Sequence, residues 1–122
     1  MSDDAYTLLR GLVGKSTEGR REAIQRAFRS DGIDLRAHQI EHIGLDVHFE
    51  ARFDYGKPND IWLSANYDTY ERVSAANNNA SGVVSLILLA RALKTGTLPV
   101  NVRLLFFDAG LDTLLVTAQK RS

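Results

Sequence analysis

The chain of 122 residues has no cysteine, which excludes disulfides and thiolate-held metal sites together. It has no net charge, because 15 lysines and arginines cancel 15 aspartates and glutamates, and no long run of either sign occurs. A nucleic-acid partner is therefore not expected. The short basic cluster Arg20, Arg21, Arg26 and Arg29 alternates with Glu18 and Glu22 and reads as a solvated helix face. There is no long apolar run: the longest stretch, 83–89, is interrupted by Ser85 and is far too short to cross a bilayer. The start, Met1-Ser2-Asp3-Asp4, is acidic and lacks the charged-then-apolar pattern of a secretion signal. Internal repeats and low-complexity segments are absent as well. These absences lead to the expectation of a cytoplasmic protein with no membrane partner.

What remains is the composition of an ordinary globular domain, 44% hydrophobic and 25% charged. The length suits one domain over residues 1–122 with one real core, burying roughly two thirds of the unfolded surface. Apolar residues at Ala5, Leu8, Leu9, Leu12 and Val13 have helical spacing. Ser16 or Thr17 can cap a second helix to about Arg29, with Ala23, Ile24, Ala27 and Phe28 inward and Ser30-Asp31-Gly32 ending it. Two strands are expected over 35–43 and 45–53 around Gly44. In the second, Leu45, Val47, Phe49, Ala51 and Phe53 alternate with Asp46, His48, Glu50 and Arg52, which implies one buried face and one wet or covered face. After a turn over 54–60 comes a short strand, Ile61-Trp62-Leu63-Ser64-Ala65-Asn66, and then a loop over 67–76. The stretch 81–93 is a helix apolar enough to be largely buried, 100–107 another buried strand, and 112–122 a short last helix. The class is α/β, with a mixed sheet built from a hairpin and a parallel strand–helix–strand crossover.

Three segments carry chemistry by their order: Ser64-Ala65-Asn66-Tyr67-Asp68-Thr69, then Ala76-Asn77-Asn78-Asn79-Ala80-Ser81-Gly82, then Leu104-Leu105-Phe106-Phe107-Asp108-Ala109-Gly110-Leu111. Together they resemble the di-zinc aminopeptidases, metallopeptidase family twenty-eight. That family writes Ala-His-Tyr-Asp-Ser/Thr, Gly-Ala-Asn-Asp-Asn-Ala-Ser-Gly and Phe-Phe-Asp-Gly-Glu-Glu in these places. Thr113-Leu114-Leu115-Val116-Thr117 fits the family's Gly-Leu-Leu-Gly-Ser, so the resemblance covers nearly the whole chain. It implies a truncated N-terminal half of a zinc-exopeptidase fold, with four strands in the order first, second, fourth, third, flanked by helices.

The resemblance also implies that the chemistry is gone. The family's first zinc histidine falls on Asn66, its bridging aspartate on Asn78, its general-base glutamate on Gly110 and the following ligand glutamate on Leu111. The remaining ligands fall beyond Ser122. A neutral amide is a poor ligand for zinc, an amide bridge leaves two dications unneutralised, and glycine and leucine cannot move a proton. Asp68 stands where the family orients its zinc histidine, with no histidine left to orient. No metal, no cofactor and no peptide hydrolysis are expected. Read without the family, Asn66 and Asn78 are ordinary asparagines at strand and helix ends.

Other sites are weaker. His38, His42 and His48 are the only histidines. A cross-strand pair among them is one candidate for a metal or pH-sensing site, against the plainer reading of surface or partly covered polar positions. Asp68 and Asp108 alone are too few carboxylates for calcium or magnesium. Gly11-Leu12-Val13-Gly14-Lys15-Ser16 resembles a phosphate-binding loop, but the first glycine that motif requires falls on Leu9, and no strand precedes it. Asn79-Ala80-Ser81 is formally a glycosylation sequon, at a helix start in a chain without a secretion signal.

The implied strand order leaves Ile61, Trp62, Leu63, Ser64, Ala65 and Asn66 on a sheet edge with little polar protection, and an open apolar edge invites pairing. A homodimer through that edge, forming one eight-stranded sheet, is expected. The alternative is a monomer whose segment 114–119 folds back over the edge. The leading functional expectation is a catalytically inactive binding or assembly module whose cleft residues Asn66, Asp68, Asn78 and Asp108 could receive a peptide. The rival is a metal-dependent aminopeptidase or other hydrolase with an atypical site, and a third reading is a fragment of an enzyme.

Overall fold

The computed structural model describes residues 3–39, 47–68 and 80–108. Three helices and four strands follow in the order α1 (Asp3–Leu12), α2 (Thr17–Asp31), β1 (Arg36–Gln39), β2 (Val47–Phe53), β3 (Asp60–Asn66), α3 (Ala80–Thr95) and β4 (Asn101–Phe107). The expected last helix, and the strand residues expected between 40 and 46 with His42 and Gly44, lie outside the described residues.

Local chemistry sets the ends of α2. The Ser16 hydroxyl accepts a hydrogen bond from the Gly19 amide at 3.1 Å, satisfying one of the first-turn donors. Gly32 closes the helix in the left-handed region at φ 69°. Its amide donates to Arg29 O at 3.1 Å, and the Ile33 amide reaches Phe28 O at 3.0 Å. The helices are tied together by Arg91 of α3, which donates to Asp31 of α2 at 2.7 Å and approaches Asp4 of α1 at 3.9 Å.

The sheet has the order β1-β2-β4-β3 that the family resemblance implies. β1 and β4 both run antiparallel to β2, and β3 runs parallel to β4, with α3 as the crossover. Asn101 clamps the turn before β3. Its side-chain oxygen accepts from the Tyr55 amide at 2.9 Å and the Lys57 amide at 3.1 Å, and its amide group donates to Lys57 O at 2.8 Å and Asp60 at 2.9 Å. The turn is thus held by a strand residue distant in sequence.

The two faces of the sheet differ. Phe49, Ala51 and Phe53 of β2 and Val102, Leu104 and Phe106 of β4 are buried under the helices with Ile24, Phe28, Val83 and Ile87. Phe28 meets Phe106 edge-on at 5.6 Å. The opposite face carries the alternate residues: His48, Glu50 and Arg52 of β2, Arg103, Leu105 and Phe107 of β4, and Trp62 and Ser64 of β3. The alternation in β2 left this face wet or covered. His48 and Glu50 are in fact buried and Arg52 is exposed.

One sequence expectation is overturned. The basic cluster of α2 is not a solvated face: Arg20 is fully buried and Arg21 half-buried, while Arg26 and Arg29 are exposed. Arg20 shares a helical face with Ile24, Ala27 and Phe28, so its aliphatic stem enters the core with them.

Candidate functional site

The carboxyl ends of β3 and β4 lie side by side, because the two strands are parallel and in register from Asp60↔Asn101 to Asn66↔Phe107. Such an end is where open α/β sheets bind ligands. It brings together Asn66 at the end of β3, Tyr67 and Asp68 just after it, and Asp108 after β4. The sequence-expected positions Asn78, Gly110 and Leu111 lie outside the described residues.

Tyr67 organises this end. Fully buried, it donates its amide to Phe107 O at 2.8 Å and its hydroxyl to Val47 O at 2.6 Å. Arg20 reaches from α2 to Tyr67 O at 3.2 Å, and its Nε donates to Leu12 O at 3.1 Å. Arg21 donates to the Tyr67 hydroxyl at 2.8 Å and is ion-paired with Asp108, whose carboxylate also accepts from the Val47 amide at 3.4 Å. Burial lowers the Arg20 pKa, and the Asp68 charge partly offsets it. Burial pulls the Arg21 pKa down too, but the hydrogen bonds and charges of Tyr67 and Asp108 outweigh it and raise the value. Two consecutive guanidinium groups from α2 therefore bind this end of the sheet. Neither arginine was foreseen. The signal was present, since Arg20 falls on the inward stripe of the helix.

The described donors suit zinc poorly. Asn66 offers a neutral amide, Asp108 is engaged by a guanidinium, and the local charge balance already includes two arginines. Among the described residues, no group of three or more histidine, aspartate or glutamate side chains converges as a metal site.

His38 and His48 lie on the other sheet face. His38 and His48 are direct cross-strand partners, so the sequence-expected pairing is present in register. His38 Nε2 lies 3.0 Å from Glu50 Oε1, while buried His48 packs edge-on against Phe107 at 5.1 Å. Glu50 also accepts from Arg52 at 2.9 Å and lies 3.7 Å from Arg103, which stacks over Trp62 at 4.8 Å from the ring centroid. Burial alone would push the Glu50 carboxyl up. The hydrogen bonds and charges of Arg52 and His38 win and hold it below its ordinary range. A shallow dent of about 80 Å³ lined by Arg52, Asp54, Asp60, Asn101 and Arg103 sits at the opposite end of β3 from Asn66.

β3 is an edge strand of the described sheet, and Ile61, Trp62 and Leu63 are 45%, 56% and 39% exposed. Among the described residues, no strand pairs with its outer edge.

This arrangement of sheet, crossover helix and strand-end motifs is that of a zinc-exopeptidase-like domain. The model of Peptidase family M28 matches residues 47–114, and the chain belongs to that family. Solved structures agree on the fold. The glutaminyl cyclase of Fimbriiglobus ruber superposes with a TM-score of 0.69 at 16% identity, over 87% of this chain and 44% of that one. The glutaminyl cyclase of Porphyromonas gingivalis gives 0.64 at 23% identity, over 86% and 44%. A leucine aminopeptidase precursor from Bacteroides thetaiotaomicron gives 0.65 at 16% identity, over 85% and 45%. The chain thus spans less than half the length of each of these three structures. No curated protein matches its sequence.

Proposed function

We propose that this chain is a non-enzymatic member of the M28 family, a binding or assembly module that associates with a second copy through the outer edge of β3. The observation that carries the reading is that edge, where Ile61, Trp62 and Leu63 stand exposed in consecutive positions on a strand with one side unpaired among the described residues. The loss of catalytic function is supported by Asn66 in place of the family's first zinc histidine, and by the pairing of Asp108 with Arg21. With Asn78, Gly110 and Leu111 in the other chemical positions, ligand, bridge and base are missing together. The polar end formed by Asn66, Asp68 and Asp108 is the place where a peptide would bind.

Elemental analysis of protein purified without a metal-affinity step tests the first half of this reading. Zinc well below one equivalent per chain is expected, together with no release from amino-acid nitroanilides in added zinc or cobalt. Two equivalents of zinc with hydrolysis would establish the rival, an aminopeptidase with an atypical site. Light scattering at tens of micromolar tests the second half. A dimeric mass is expected, and a monomeric one overturns the assembly role.

A further inference from the structure

The backbone of β3 specifies how such a dimer joins. In a parallel pair, alternate residues turn both backbone groups toward the same neighbour. The Tyr67 amide donates to Phe107 O at 2.8 Å and the Asn101 amide to Asn59 O at 2.9 Å. Asn59, Ile61, Leu63, Ala65 and Tyr67 therefore face β4. Asp60, Trp62, Ser64 and Asn66 aim their N–H and C=O groups outward.

Two copies joined edge to edge in one sheet are related by a two-fold axis perpendicular to it, so the two β3 strands run antiparallel. Paired residues in an antiparallel ladder project from the same face. A residue can then pair only with one an even number of positions away, so the axis must pass beside a residue that meets its own copy. Centred on Leu63, the ladder pairs Asp60 with the second copy's Asn66 and Trp62 with the second copy's Ser64, each twice by symmetry. Four outward-facing pairs with two hydrogen bonds each give about eight bonds. Centring on Trp62 or Ser64 leaves three such pairs and about six bonds. Only the Leu63 register uses every outward group of β3.

We infer that the chain dimerises by two-fold antiparallel pairing of β3 centred on Leu63, with Asn66 serving as a polar partner for Asp60 of the second copy. The inference rests on the dimer proposed above and gives it a register. Asn66 and Asp60 project from the same sheet face, and an amide beside a carboxylate can donate to it across the ladder. On the helix side, Leu63 meets its own copy and exposed Ile61 meets half-buried Ala65, which places apolar side chains against each other. An acidic residue in place of Asn66 would set like against like at both ends of the ladder.

The absence of native cysteine makes the test clean. Leu63 would occupy a non-hydrogen-bonded pair, where Cα atoms lie about 4.5 Å apart, within disulfide range. Leu63→Cys is expected to form a disulfide-linked dimer on mild oxidation, while Trp62→Cys and Ser64→Cys alone give little and cross-link when mixed. Each variant is checked for native circular dichroism. Self-linking of Trp62→Cys or Ser64→Cys in preference to Leu63→Cys would overturn the register. No cross-link in any variant, with a dimeric mass by light scattering, would overturn the edge as the interface and leave the dimer standing. A monomeric mass would remove the dimer itself. As a second readout, Asn66→Asp should raise the dimer Kd about tenfold through two like-charge pairs, and adding Asp60→Asn should restore it. An Asn66→Asp variant that dimerises unchanged would overturn the role of Asn66.

Discussion

Arg20 has a charged head, an apolar stem and two backbone carbonyls within reach, and all three are used. Its guanidinium binds Leu12 O and Tyr67 O, its charge faces Asp68, and nothing of it is exposed. Arg20→Met keeps the stem and removes the donors, leaving Asp68 less compensated at a partly buried position. A loss of about 3 kcal/mol is expected in urea denaturation, with Arg26→Met on the exposed face changing stability by less than about 0.5 kcal/mol. The contrast shows what the sequence conveys at this scale. Asn66 is legible because its flanking letters announce what ought to stand there. Arg20 is obscured by Glu18 and Glu22, which make the stretch look like a charged surface, although its spacing from Ile24, Ala27 and Phe28 is that of a core position. A buried arginine depends on carbonyls supplied by other parts of the chain, and the one at Tyr67 is remote in sequence.

At the scale of the element, β2 carries the most information. Its alternation predicts a half-buried strand, and Phe49, Ala51 and Phe53 do face the helices. It does not predict that Glu50 is buried, because that depends on His38, Arg52 and Arg103, two of which belong to other strands. The consequence is a pH dependence of definite sign. The Glu50 carboxyl is held below its ordinary value, so it binds its proton less readily folded than unfolded. Its stabilisation is complete above about pH 4.3, the ordinary value for glutamate, and is lost as pH falls through the lower folded value. Glu50→Gln should cost about 1–3 kcal/mol at pH 7 and flatten the stability profile below pH ~4, measured by denaturation across pH. The helices are more legible, since Ser16 and Gly32 cap α2 by their own local chemistry.

For the whole molecule, the strand order follows from the motif resemblance, and the distribution of helices does not. The described helices α2 and α3 pack on one side of the sheet, leaving Trp62, Arg103 and Phe107 on the other. An assembly through β3 would couple folding to protein concentration. Thermal midpoints should rise with concentration for the native chain, and Trp62→Lys should abolish that dependence while leaving the far-ultraviolet spectrum intact. Scanning calorimetry over a hundredfold concentration range makes the comparison. A midpoint independent of concentration in both proteins would remove the link between edge and assembly.

Tyr67 joins three elements to the end of β3: its amide binds the end of β4, its carbonyl and hydroxyl receive Arg20 and Arg21 of α2, and its hydroxyl reaches the start of β2. None of these partners can leave alone without breaking the others' geometry. In hydrogen exchange, then, the Tyr67 amide belongs with the slowest protons of the chain, released only when the sheet and α2 come apart together. The segment that follows β3 would serve as the last part of the molecule to open.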